Sequence, residues 1–532
     1  MKNIISLSFA LLFVFSIYPQ QQTNWHNYAD MKYVKDIAAT STGVWSAAQG
    51  GAFFYNISEN SFKTYSKADG LNGTELTAVG IDDENKVWFG SASGQLDVYN
   101  PVTNSFTSIL DIFNSDKTSK KINDITVAGD TIYIASDFGI SLVDAKNYFF
   151  YDSYFKFGNF TSNIKVNNVL ISNLIYAATE SGIAIQKAGA TNLSAPESWN
   201  VYDQNSGLPT GGVNVISFYN SQLIAGTNSG LYFFDGTNWQ PFLTLQGIKI
   251  IDLTTKDNSL FILTNNKVYT FDGTSLIETL TTNSVTSKIA FQDNSGLIVA
   301  TNLGIYLNNS FLYPNGPAAN QFPNMVIDKN SHLWSSSGKD VSGVGIYEFD
   351  GAEWKTYNSQ LYPELSGNSF YSIFNSSDNS IYSGSWGLGF VKIKDNVITR
   401  FHSGNTSMVA TRNIPNNPDF IVITGFAEDS KNNLWILNLN AADTKSLYML
   451  TPDSAWYSFR NPLEQHAGFS ELDNLVIDQY GTKWYTMGNE GSLGLFYFNE
   501  KGTYDDPSDD AYGYVTTSKG LSNNAIYSLA ID

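Results

Sequence analysis

Cysteine is absent from the 532 residues. That excludes disulfide staples, thiol nucleophiles, cysteine-bearing zinc sites and a lipid-anchored cysteine at the start of a mature chain. Histidine is nearly missing too. His26, His332, His402 and His466 stand far apart, with neither His-x3-His nor His-Glu-x-x-His spacing, so no zinc centre is expected. No Gly-x-Ser-x-Gly elbow presents a serine nucleophile. Charged residues are only 15% and unbalanced: 30 Lys and Arg against 49 Asp and Glu, a net charge of −19. Phosphate backbones need clustered Lys and Arg, so nucleic acid is not an expected partner. No stretch after the first twenty residues reaches 18 apolar residues, and no segment has a convincing amphipathic helical period.

What is abundant is aromatic. There are 35 Phe and 31 Tyr, with 42 Gly, a palette of ring-bearing strands and tight turns. The organising stretch is Asp82-Asp-Glu-Asn-Lys-Val-Trp88. An Asp with a Trp six residues on returns at Asp328/Trp334, Asp429/Trp435 and Asp478/Trp484. Each Asp closes an apolar run and each Trp opens the next, which is strand, turn, strand. We read the Asp as a turn-former bonding its own main chain and the Trp as a broad ring buried between sheets.

Taking Trp88 as reference, equivalent positions are Trp45, Tyr133, Tyr176, Ile224, Phe261, Ile298, Trp334, Tyr382, Trp435 and Trp484. They are spaced by 36 to 53 residues, about 44 on average. That is the length of one four-stranded propeller blade. A Gly six residues on, as at Gly51, Gly139 and Gly182, reads as the turn out of the central strand; Lys267 breaks the rule. The expected fold is all-β: tandem β-propellers, seven-bladed, the second incomplete. Residues 1–20 read as a secretory signal, with Lys2 before the apolar run Ile4 to Ile17. The Pro- and Gly-rich run Pro314 to Pro323 divides a first propeller (21–315) from a second (316–532, units 8 to 11 and a stub). The stub, Ile526 to Asp532, reads as half a twelfth hairpin from a truncated chain. A propeller closes best when its first and last strands share a blade, which removes exposed edges; the sequence leaves open which ring the N-terminal strand joins.

The units resemble the two-component regulator propeller repeat, as in Leu223-Ile-Ala-Gly-Thr-Asn-Ser-Gly-Leu231 and Asp328 to Trp334. The start resembles PorZ-like proteins of the type IX secretion system: a signal peptide, a Gln run, Asn24-Trp25-His26, Val34-Lys-Asp-Ile37 and Trp45 to Tyr55. That resemblance implies an exported, non-catalytic scaffold at the periplasm or outer surface of a Gram-negative cell, with partners in a secretion or attachment complex and no cofactor. The alternatives are the glycan-sensing ectodomain of a hybrid histidine kinase and, third, a propeller polysaccharide lyase, for which His402 is the one imaginable residue.

Binding candidates are few. Trp386, flanked by glycines in Gly384-Ser-Trp-Gly-Leu-Gly389, reads either as a ring offered to a sugar face or as a bulged central strand. Inserts at 339–343, 438–445 and 488–492 map to loops of one face, where repeat proteins carry partners. Asp505, Asp506, Asp509 and Asp510 form the sharpest acidic cluster. Oxygen ligands suit calcium, but the EF-hand spacing is missing and a solvated loop is the plainer reading.

Overall fold

The computed structural model describes residues 26–292, 296–339, 343–414, 416–464, 471–488 and 493–531. The signal segment, His466 and parts of the first and third inserts (340–342, 489–492) therefore lie outside the described residues. The chain is all-β. Among the described residues, eleven four-stranded antiparallel sheets follow one another, each built from four consecutive strands. They span 34–65, 76–109, 122–154, 166–202, 213–241, 252–281, 286–312, 325–357, 370–401, 423–459 and 471–515, and are called sheets 1 to 11 below.

Every reference position lies in the second strand of its sheet. Trp45, Trp88, Ile224, Ile298, Trp334, Tyr382 and Trp435 are buried, whereas Trp484 is half-buried. Trp88 shows why the ring is there. It packs with Ile122, Ile125 and Ile132 of the next sheet, so one indole joins two blades. The Asp has a second task that its spacing did not announce. Its carboxylate accepts the indole N–H: Trp88 Nε1 to Asp82 at 2.9 Å, Trp334 to Asp328 at 3.1 Å, Trp435 to Asp429 at 3.0 Å and Trp484 to Asp478 at 2.8 Å. The other carboxylate oxygen takes two turn N–H groups, Glu84 and Lys86 in the first case. The residue three after each Asp, namely Asn85, Ser331, Asn432 or Gly481, is left-handed, which is why small polar residues and Gly stand there.

Gly182 opens the third strand of sheet 4 at φ +144°, and a Cβ there would lie 2.1 Å from the Tyr202 carbonyl oxygen. The Gly six residues after the reference is therefore demanded by both backbone conformation and close approach of the fourth strand. The Gly-Leu pairs Gly70-Leu71, Gly207-Leu208 and Gly520-Leu521 end short 3-10 turns with a left-handed Gly cap.

The first strands of sheets 1 to 7 lie side by side in order, and Thr286–Gln292 of sheet 7 returns to Val34–Ala39 of sheet 1. Ring closure departs from the expected shared blade. No strand of sheet 7 enters sheet 1. The seam is sealed by packing of Val34, Ile37 and Val44 against Ile298, Ala300 and Ile305. Ser287 Oγ also donates to Val34 O at 2.7 Å, and Gln292 Nε2 to Ser41 O at 2.9 Å. Buried apolar area can close a ring without a shared strand because the hydrophobic term is non-directional. First strands of sheets 8 to 11 continue the same side-by-side order. Of the stub expected as a half-hairpin, Ile526 to Asp532, the described residues 526–531 pair with no described sheet. The Pro314 to Pro323 run falls between sheets 7 and 8.

Candidate functional site: the axial surfaces

The first strands line the axis of the seven-sheet ring. Each carries a polar side chain that reaches the next sheet. Thr77 Oγ1 donates to Ile122 O (2.5 Å), Asn123 Nδ2 to Val166 O (2.9 Å), Asn167 Nδ2 to Val213 O (2.7 Å) and Asn214 Nδ2 to Ile250 O (2.8 Å). One residue further on, acceptors take an N–H from the next sheet. Asp36 accepts from Val79 (2.8 Å), Asp124 from Val169 (3.1 Å), Asn168 from Ile216 (3.1 Å) and Asp252 from Ile289 (3.0 Å). With Ser287, these two series bridge all seven junctions of the ring.

The acceptors enclose a polar chamber of about 110 Å³. Its one central cation is Lys288, whose ammonium lies 3.6 Å from Asp252, 3.9 Å from Asp124 and 4.0 Å from Asp36. Burial works against the Lys288 charge, but the three carboxylates outweigh it and hold the ammonium above its ordinary range. Burial pushes Asp36 up to about 6; Lys288 opposes the rise, and Asp124 and Asp252 add to it. Burial raises Asp252 as well. Burial is the main origin of the two raised carboxyls, and the crowding of three acids around Lys288 adds to it.

On the second unit the Trp386 candidate is half-buried. It follows strand Ile381–Ser385, forms an isolated bridge with Val422 and packs on the core cluster of Trp435 and Tyr485. Tyr371 meets it edge-on at 5.6 Å, and the Lys339 ammonium stands 4.9 Å from its ring centre. Tyr371 OH in turn donates to Asp473 at 2.7 Å, linking sheets 9 and 11. So the ring has one face in the core and a cation near it. The start of insert 438–445 is not an open loop: Asn438 to Ala441 are buried and pair with a second insert that the sequence did not announce, residues 402–422. Arg412 N donates to Asn440 O at 2.9 Å, Ala442 N to Ala410 O at 2.9 Å, and Thr411 bridges Ala441. The 53-residue step from Tyr382 to Trp435 was the available signal for it.

The remaining candidates are quickly placed. Asp505, Asp506 and Asp509 are exposed and Asp510 half-buried. Thr503 donates to Asp509 (2.7 Å) and Ser508 N to Asp506 (3.0 Å). Among the described residues no three of His, Cys, Asp and Glu converge as metal ligands, these four included. His332 Nδ1 sits 2.8 Å from Glu348 Oε1, and His402 Nδ1 accepts from Gly404 N at 3.2 Å within its own turn. No helix among the described residues is long and apolar enough to cross a membrane.

Between the two units lies an apolar cavity of about 410 Å³, with Tyr28, Phe322, Met325, Leu333 and Trp354 in its wall. The N-terminal segment spans that junction. Tyr28 meets Phe349 at a tilt and Trp354 edge-on, both of sheet 8, at 4.7 and 5.7 Å between ring centres, while Val34 begins sheet 1.

Comparison with known proteins agrees with this architecture. Residues 44–200 match the domain model of the N-terminal β-propeller of PorZ, a type IX secretion protein. Among solved structures, PorZ of Porphyromonas gingivalis, described as an essential bacterial surface component of the type-IX secretion system, has the same fold. Its TM-score is 0.78 at 21% identity, over 92% of this chain and 68% of that one. The extracellular domain of a hybrid two-component system from B. thetaiotaomicron aligns with a TM-score of 0.44 at 17% identity, over 93% and 74% of the two chains. No curated protein sequence matches the chain.

Proposed function

We propose that the chain is a non-catalytic, exported β-propeller scaffold serving as a surface component of a type IX secretion apparatus. The observation that carries this reading is the match of residues 44–200 to the PorZ propeller domain, supported by the PorZ-like fold over 92% of the chain. Residues 21–315 and 316–532 act as two modules in this reading, the first a rigid closed ring. The second presents the partner surface, around Trp386, the inserts 339–343 and 488–492, and the part of insert 438–445 that follows the buried Asn438 to Ala441. Its partner is a protein of the secretion or attachment complex, since a broad, half-buried aromatic beside charged groups suits a protein contact better than an open stacking platform.

Deleting the gene in its source bacterium tests the assignment. Secreted cargo should lose its attachment to the cell surface, and the intact gene should restore it. Cargo that remains attached at the wild-type level would refute the assignment. A complementing W386A allele that restores attachment fully would remove Trp386 from the partner surface without touching the rest.

A further inference from the structure

The chain contains two Asn-Gly pairs, Asn72-Gly73 and Asn315-Gly316. A glycine sets no side chain between its own nitrogen and the asparagine amide before it, so that nitrogen can attack the Asn Cγ. The fold treats the two pairs oppositely. The Gly73 N–H donates to the buried Asp97 carboxylate at 2.8 Å, and the Asn72 N–H to the same oxygen at 3.0 Å. The Gly316 N–H has no acceptor among the described residues, and Asn315 is exposed.

Asn315 is also a fastening in the link between sheets 7 and 8. Its Oδ1 accepts the Trp354 N–H at 3.0 Å and its Nδ2 donates to Glu353 Oε2 at 3.1 Å, both within sheet 8. Just beyond it, Pro317 O and Ala318 O accept from Lys32 Nζ at 3.4 and 3.2 Å, which ties the link to the N-terminal segment of the first ring. Residue 316 is glycine for a packing reason: a Cβ there would lie 2.7 Å from the Ala29 carbonyl oxygen. The close approach of the N-terminal segment therefore places a glycine directly after the asparagine that holds the second unit.

We propose that Asn315-Gly316 is a site of self-modification by deamidation, which turns the clasp on sheet 8 into a repulsion. The Gly316 nitrogen, its proton passing to solvent, bonds to Asn315 Cγ. The Cγ–Nδ2 bond breaks, and the amide nitrogen takes up a proton and leaves as ammonia. Water then opens the succinimide at either carbonyl, giving aspartate or, with the chain rerouted through the side-chain carbonyl, isoaspartate. Water is the one co-reactant. The Trp354 N–H already sits on the oxygen that turns negative as the nitrogen adds, and a fixed donor at that place lowers the barrier. Afterwards a carboxylate replaces the amide beside Glu353, so like charges meet where a hydrogen bond stood. Isoaspartate also lengthens the main chain by a methylene between the buried Pro314 and Pro317. The pair acts as a clock: older molecules hold their second unit less firmly. The proposal stands apart from the secretion assignment, because it needs only these residues and water.

The test is incubation of the folded protein at pH 8.5 and 37 °C followed by peptide mass mapping, in which each event adds about one mass unit. Asn315 should convert roughly tenfold faster than Asn72, or more, because Gly73 must first give up its bond to a carboxylate. In the urea-unfolded chain the two rates should converge. N315D supplies the product charge without the reaction. It should melt below the unsubstituted protein at low salt and recover part of the difference as salt screens the repulsion. N315D/E353Q should melt above N315D. No conversion at Asn315, an equal rate at Asn72 in the folded protein, or an N315D variant that melts with the unsubstituted protein at low salt would each overturn the site.

Discussion

Replacing Asp36 with Asn separates the two jobs of that carboxylate. Asp36 is a bridging acceptor, taking the Val79 N–H at 2.8 Å, and it is also one of three buried acids around Lys288. The ring contains its own control, because Asn168 does the bridging job with an amide oxygen, accepting from Ile216 at 3.1 Å. Burial raises Asp36 from 3.8 to about 6. A raised folded-state value means that the folded chain binds the proton more tightly than the unfolded one. Its contribution to stability is therefore complete below pH 3.8 and lost as pH rises through about 6. A shift of roughly two units corresponds to about 3 kcal/mol in all, with roughly half of the loss falling above pH 5. Asp36→Asn should be free of this loss. Urea denaturation of both proteins from pH 4 to 8 gives the assay, read as the difference between them, in which the titrating groups outside the chamber cancel. The difference should move in favour of the Asn variant by about 1–2 kcal/mol between pH 5 and 7. A difference flat in pH, or a variant several kcal/mol less stable at pH 7, would refute the reasoning, since the pairing of Asp36 with Lys288 would then outweigh the desolvation of its charge.

The other expectations concern the blades themselves. Asp82→Ala removes acceptors for Trp88 Nε1 and two turn N–H groups; leaving the fully buried indole unsatisfied should cost about 1–3 kcal/mol, read as a lower denaturation midpoint. Trp88→Ala, which empties the contact between sheets 2 and 3, should cost about 3–5 kcal/mol. Gly182→Ala should destabilise by on the order of 1–3 kcal/mol through its backbone strain alone, with more from the Cβ placed against Tyr202 O; a neutral result by calorimetry would contradict the close approach. Lys483 is buried against Glu500, with its ammonium 3.7 Å from the Trp435 ring centre. Lys483→Met should cost about 3–5 kcal/mol because Glu500 loses its partner, and Lys483→Met with Glu500→Gln should recover much of it; no recovery in the double variant would show that the packing, not the charge, was lost.

The blades were legible because their signal is local. A Trp or Tyr opening the second strand, a turn of Asn or Gly before it and a Gly after it recur within one unit, so periodicity alone placed all eleven reference positions in the right strand. What was illegible depends on neighbours distant in sequence. Thr77, Asn123 and Asn167 look like unremarkable strand polars until the ring sets each beside the next sheet, some 45 residues away. Asp36, Asp124, Asp252 and Lys288 share no spacing that names a chamber. The indole bond to Asp82 was missed for the opposite reason: the turn explained the Asp so well that nothing called for a second partner. Insert 402–422 was hidden because the 53-residue step from Tyr382 to Trp435 that contains it was read as a long unit and given no insert of its own.

Sheets 1 and 7 meet without a common strand, and the chain leaves for the second unit at the same place. Asn320 accepts from Asp30 N at 2.6 Å, and Lys32 Nζ donates to Ala318 O at 3.2 Å, so the strap that departs is fastened beside the joint it would otherwise pry apart. Opening the ring at this seam therefore means undoing the strap's fastenings as well as the packing of Val34 against Ile298.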